Sequence, residues 1–181
     1  YSVALTGSTA DLAAALAGTF AAAYTGNITT TDAHTVAQLK AINNATSGTI
    51  TLNDYSVALT GSTADVAAAL AGTFAAAYTG NVTITDANAT SIAATDISTI
   101  NTPTTGTITV ANAIDINGSG SEVAAAFSAI DTNIGNATAT ITGNAYTVAQ
   151  LITINNKGTG TIVIANPTVN LSGSVADLKA A

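Results

Sequence analysis

Residues Tyr1–Gly26 read YSVALTGSTADLAAALAGTFAAAYTG, and residues Tyr55–Gly80 read YSVALTGSTADVAAALAGTFAAAYTG. Only Leu12 and Val66 differ between the two, and the match continues as GNIT against GNVT. Looser copies follow at Ala113–Phe127 (AIDINGSGSEVAAAF) and Thr168–Ala180 (TVNLSGSVADLKA). Repetition at a near-fixed period decides architecture before any single residue is interpreted, because each unit buries its apolar face only against its neighbours.

Working outward from these copies, a glycine opens each coil and a short alternating strand follows it. The coils begin at Gly26 (GNITTTD), Gly48 (GTITLND), Gly80 (GNVTITD), Gly106 (GTITVAN), Gly135 (GNATATIT) and Gly160 (GTIVIAN). Their spacings of 22, 32, 26, 29 and 25 residues alternate short with long, so two coils make a super-repeat of about 54–58. Thr35–Asp65 aligns without gaps to Thr147–Asp177 at an offset of 112, about two super-repeats.

A long coil reads strand, bend, second strand, helix. In Gly48–Thr79, Ile50 and Leu52 alternate with Thr49, Thr51 and Asn53, the period of a strand with one buried face. Val57 and Leu59 repeat the pattern, and Ser62 with Asp65 forms the capping box of a helix. Ser8/Asp11, Ser119/Glu122 and Ser174/Asp177 repeat that device, and Gly18 and Gly72 read as helix stops. A short coil reads strand, turn, helix, with capping boxes Thr35/Gln38 and Thr147/Gln150 and apolar pairs Leu39/Ile42 and Leu151/Ile154.

Strands joined through helices predict parallel pairing and right-handed crossovers. Strands stand about 4.8 Å apart and helices about 8–10 Å, so the stack is expected to bend. The expected fold is an α/β repeat. It is a right-handed αβ-solenoid of short parallel strands and Ala-rich helices, curved or superhelical, running through residues 1–181 as one continuous segment. The chain starts in mid-repeat at Tyr1 and stops inside a helix copy at Ala181, so it reads as part of a longer array.

Composition narrows the function. Hydrophobic residues make up 48%, with Ala the commonest, whereas charged residues are only 7%, against about 25% in ordinary soluble domains. Three Lys, no Arg and ten acids give a net charge of −7, the wrong sign for nucleic acid, where cations must neutralise phosphates. No run of about 18 apolar residues suggests membrane insertion. The absence of Cys and Met removes sulfur oxidation and fits an extracellular setting.

Four acids, Asp11, Asp65, Glu122 and Asp177, are read as helix caps. Asp32, Asp54 and Asp86 close strands. They are read as turn residues, with a stacked calcium ladder as the one cofactor the pattern allows. His34, the only histidine, is read as a solvent-facing turn residue, and its aligned counterpart is Tyr146. Phe20, Phe74, Phe127, Tyr24, Tyr78 and Tyr146 are read as core or seam packing. Seven Asn-x-Ser/Thr sequons are expected by chance in a chain this rich in Asn and Thr. Outward strand positions supply a candidate surface-binding ladder: Thr29 and Thr31, Thr49 and Thr51, Thr83 and Thr85, Thr107 and Thr109, Thr138 and Thr140. Strand propensity alone also predicts threonine there.

The diction of the repeats (TVAQLKAINNATSGTITLND, VALTGSTADVAAALAG, YTGNVTITD) resembles giant repetitive bacterial cell-surface proteins. Very long surface proteins of marine cyanobacteria, some tied to non-flagellar swimming, are the nearest in style. The resemblance covers nearly the whole chain as repeat style, without a diagnostic motif. It implies a surface-anchored or fibre-forming protein and transfers no active-site residue. The expected function is therefore structural and not enzymatic: a rod, sheath or fibre at a cell surface, self-associating end to end or side by side. The alternative is an adhesive module whose Thr/Asn face binds ice, glycan or mineral.

Overall fold

The computed structural model describes residues 1–181 in full. The chain divides into two compact units, residues 1–83 with 99–107, and residues 84–98 with 108–181. The first contains β1 (Leu5–Gly7), α1 (Thr9–Leu16), β2 (Ile28–Thr30), α2 (Val36–Ala45), β3 (Ile50–Thr51), β4 (Leu59–Gly61), α3 (Thr63–Leu70) and the start of β5 (Val82–Ile84). The second holds β6 (Ser91–Ala93), the start of α4 (Ala94–Asn101), β7 (Ile108–Val110), β8 (Asp115–Gly118), α5 (Gly120–Ala129), β9 (Thr138–Ile141), α6 (Val148–Lys157), β10 (Ile162–Ile164) and α7 (Val175–Ala180).

The fold is α/β, with seven helices and parallel strands in three small sheets. One sheet runs β1-β2-β3 in the first unit, and another runs β10-β9-β8-β6 in the second. The strands thus break into separate sheets. The coil opened by Gly48 shows why: it carries two strands with different partners. Its first, β3, pairs back onto β2, whereas β4 meets β5, Leu59 N–H donating to the Asn81 carbonyl at 2.9 Å. The coil opened by Gly80, short by its spacing, also carries a second strand, β6, directly before α4.

All six coil-opening glycines precede strands, and most are required by the neighbouring backbone. A Cβ on Gly48 would run into the carbonyl of Gly26, and one on Gly106 into that of Gly80; one on Gly160 would meet the Ala137 carbonyl. Glycine is needed here for close approach, since no glycine has a positive φ. A threonine two residues upstream completes the contact. Thr46 Oγ1 donates to the Gly26 carbonyl at 2.8 Å and accepts from Gly48 N–H at 3.0 Å. Thr104 repeats this between Gly80 and Gly106.

Alternate strand residues fill a thin core, with Ile28, Ile50 and Val82 buried in the first unit and Ile92, Ile116 and Ala139 in the second. Helices supply Leu39, Ile42, Val66 and Leu70, and then Val123, Phe127, Leu151 and Ile154. Buried Ala67, Ala69, Ala124 and Ala126 let helices approach with little side-chain bulk between them. In the first unit α2 packs against α1 and α3; in the second α6 packs against α5 and α7.

Helix ends are closed by the neighbouring coil. Asn43 Nδ2 on α2 donates to the Ala68 carbonyl in the last turn of α3 at 2.6 Å, and Asn155 does the same for Ala180 at 3.1 Å. These carbonyls lack partners within their own helix. Gly72 just beyond α3 makes room, because a Cβ there would overlap the Asn43 side chain.

Candidate functional site

The acids are held by structural partners. Ser8, Ser62, Ser119 and Ser174 each accept the backbone N–H of the acid three residues on. Only Glu122 completes the reciprocal box, taking Ser119 N–H at 2.8 Å. Asp11, Asp65 and Asp177, one methylene shorter, take the serine hydroxyl instead, at 2.7–2.8 Å. The Ser119 N–H, then its hydroxyl, holds the Glu122 carboxyl below its ordinary range. Lys40 lies 2.6 Å from Asp65 and, with Ser62, lowers that carboxyl. Both members of the pair are solvent-accessible, which makes it a weak tie.

Asp54 matches the turn reading: Oδ1 accepts from Ser56 N–H at 2.8 Å and from its hydroxyl at 2.7 Å, and these bonds lower its pKa. Asp32 does more than close its strand. It reaches back one coil, accepting from Thr9 Oγ1 at 2.6 Å and Thr9 N–H at 2.7 Å, so it caps the start of α1 and its carboxyl is lowered. No cluster of three or more His, Asp or Glu side chains converges as a metal-binding group.

The threonines named as a ladder all remain solvent-accessible: Thr31, Thr85 and Thr107 are exposed, and Thr29, Thr49, Thr51, Thr83, Thr109, Thr138 and Thr140 are half-buried. Register decides which are neighbours. Ile28 pairs with Ile50, which sets Thr6, Thr29 and Thr51 in one row across β1-β2-β3. The same register puts Thr49 against Asn27, whose Oδ1 accepts Thr49 N–H at 2.9 Å; Asn81 treats Thr107 likewise at 3.1 Å. The Thr-x-Thr pairs of the Gly26 and Gly48 coils are therefore offset by two residues and share one row. In the second unit Thr138 and Thr140 stand opposite Asp115 and Asn117, and Thr140 also faces Val163. Thr109 Oγ1 lies 2.6 Å from Thr132 Oγ1.

His34 corrects the reading of its position. It is 5% exposed, with Nε2 2.8 Å from the Tyr78 hydroxyl and the two rings edge-on. Tyr78 is fully buried and its hydroxyl donates to the Val57 carbonyl. A carbonyl can only accept, and a phenol has one proton. His34 Nε2 must therefore carry the proton that reaches Tyr78. The neutral ring then leaves Nδ1 bare, and this atom is buried without a partner. Burial lowers the His34 pKa, opposed by Asp54 and Asp32, and burial pushes the Tyr78 phenol well above its usual value. No spacing in the sequence announces this pair, since its members lie 44 residues apart.

Two clefts recur at equivalent positions. One of about 530 Å³ lies beside α2, lined by Thr35, Val36, Lys40, Thr60, Gly61 and Asp65. Its counterpart of about 370 Å³ is lined by Thr147, Val148, Ile152, Ser172, Gly173 and Asp177, the same positions 112 residues on. A third, of about 600 Å³, is lined by Asn88, Asn112, Asn133 and Asn136. No helix is long and apolar enough to cross a membrane. No protein-family model, curated protein or solved structure matches this chain.

Proposed function

We propose that the chain is a segment of an αβ-solenoid serving as an extracellular structural module, forming a rod, sheath or fibre at a cell surface. One observation carries this reading. The same coil-to-coil clamp, glycine facing glycine with a threonine hydroxyl between them, recurs at Gly26/Gly48 and Gly80/Gly106. A repeated backbone contact extends an array by copy number and asks nothing of a local site. The structural work done by the acids at helix ends and turns supports a non-catalytic role.

Self-association is the partner reading that goes with it. Helix α7 buries none of its residues. Leu178 is 44% exposed, although the equivalent Val66 is fully buried. Val175, one turn before it on the same helix, is exposed as well. An apolar face of this kind favours stacking against a further copy.

Negative-stain electron microscopy of the purified chain, with and without a chelator, tests the reading. Long uniform fibres unaffected by chelation are expected. Short monodisperse particles overturn fibre formation, and dissolution by the chelator makes calcium part of the assembly. The second reading is adhesion to ice, glycan or mineral, favoured by the Thr6–Thr29–Thr51 row. Thr49→Lys with Thr51→Lys separates the two: adhesion collapses, whereas a spacer rod persists.

A further inference from the structure

We propose that His34 is a proton-operated lock in the first unit: neutral, it ties the coil opened by Gly26 to the coil opened by Gly48, and protonated, it releases that tie. The geometry fixes what each state can do. In the neutral state Nε2–H donates to the Tyr78 hydroxyl, which passes its own proton to the Val57 carbonyl. Tyr78 is itself anchored by its backbone, its N–H donating to the Pro103 carbonyl at 2.8 Å and its carbonyl accepting from Thr105 N–H at 2.7 Å. One side chain on the Gly26 coil is thereby bonded into the next coil at a fixed point.

A second proton has one place to go, Nδ1. That atom is buried and has no acceptor, so protonation places an unpaired N–H and a positive charge in the core. The charged groups acting on the ring are Asp54, from the loop between β3 and β4, and Asp32, two residues before it. Both carboxylates are already engaged, Asp54 by Ser56 and Asp32 by Thr9. In each carboxylate it is Oδ1 that takes those bonds, and neither carboxylate bonds Nδ1 in the folded chain. Protonation therefore costs a buried charge and an orphan donor unless the ring leaves its site or a carboxylate moves to it.

The equivalent position in the second unit carries no such proton. Tyr146 replaces His34, and Asn166 replaces Asp54. The Tyr146 hydroxyl donates to the Asn166 carbonyl at 3.0 Å, and Asn166 holds the same turn through Thr168. In the first unit the histidine faces an acid, and in the second the tyrosine bonds to a backbone carbonyl, so this device belongs to the first unit.

The sign follows from linkage. A histidine kept neutral by burial binds its proton more readily in the unfolded chain, so stability is complete above the ordinary value of 6.5 and declines as pH falls below it. One proton sets the limit, about a tenfold rise in the unfolding constant per pH unit. Because His34 is the only histidine, long-range proton–nitrogen NMR of the nitrogen-labelled chain reads it without assignment ambiguity. The expected result is the Nε2–H tautomer near pH 7.5, a midpoint below 6.5, and loss of the Tyr78 contact as the ring titrates. An Nδ1–H tautomer, or titration at or above 6.5, overturns the proposal. His34→Gln, which keeps a donor but no titration, is expected to abolish acid weakening in denaturant melts between pH 5 and 7; unchanged acid weakening overturns it as well.

Discussion

Thr35–Asp65 and Thr147–Asp177 are one stretch written twice, and their differences show which parts of a coil are generic. Both copies cap their helices with the complete Thr/Gln box, close the following helix with asparagine and open the next strand with a glycine pressed on the previous backbone. The positions that flank them part, where side chains meet other segments of the chain. Val66 is fully buried and its counterpart Leu178 is 44% exposed. His34 is sealed against Tyr78, whereas Tyr146 bonds to a turn carbonyl. Local devices repeat with the sequence, and burial depends on what the neighbouring coil supplies.

The strongest way to break this comparison is at the shared backbone contact. Gly48→Ala and Gly160→Ala are each expected to cost more than about 3 kcal/mol, because rigid carbonyls cannot yield to a Cβ. Gly135→Ala, where the nearest atom is the Thr159 hydroxyl at 3.6 Å, is expected to stay within about 1 kcal/mol. Urea denaturation followed by circular dichroism measures all three, and equal losses would remove close approach as the reason for glycine.

Core truncation sharpens the difference in burial. Val66→Ala should lose about 2 kcal/mol, and Leu178→Ala less than about 0.5 kcal/mol. If both lose the same amount, α7 is covered in solution, which sedimentation would reveal as self-association. Capping is expected to act alike in both copies: Thr35→Ala and Thr147→Ala each cost about 1 kcal/mol. The smallest effect belongs to Lys40→Ile, which rewrites the first copy as the second at that position. Its ion pair is solvent-exposed, so the melting temperature should not move measurably, with or without added salt.

Much of the fold is legible in local sequence. The glycine-opened strands, the Ser/Asp and Thr/Gln caps and the helix after each second strand all follow from residues within about one helical turn of each other. The candidate site is less legible. Placing Thr29-x-Thr31 over Thr49-x-Thr51 needs the register, and the register is set by Ile28 meeting Ile50, so Asn27 rather than threonine stands beside Thr49. Asp32 reads as a turn residue because its partner, Thr9, lies 23 residues back.

The sequence by itself determined the alternation of short strands with helices and the helix caps, since each rests on a short segment that carries its own signal. Tertiary structure alone decided that the strands split into three sheets, that the threonine pairs share one row, and that His34 is buried with a bare Nδ1. The physical reason is distance along the chain. Partners 20 to 44 residues apart meet only when the chain folds back on itself, and a period in the sequence does not say which side chain each will meet.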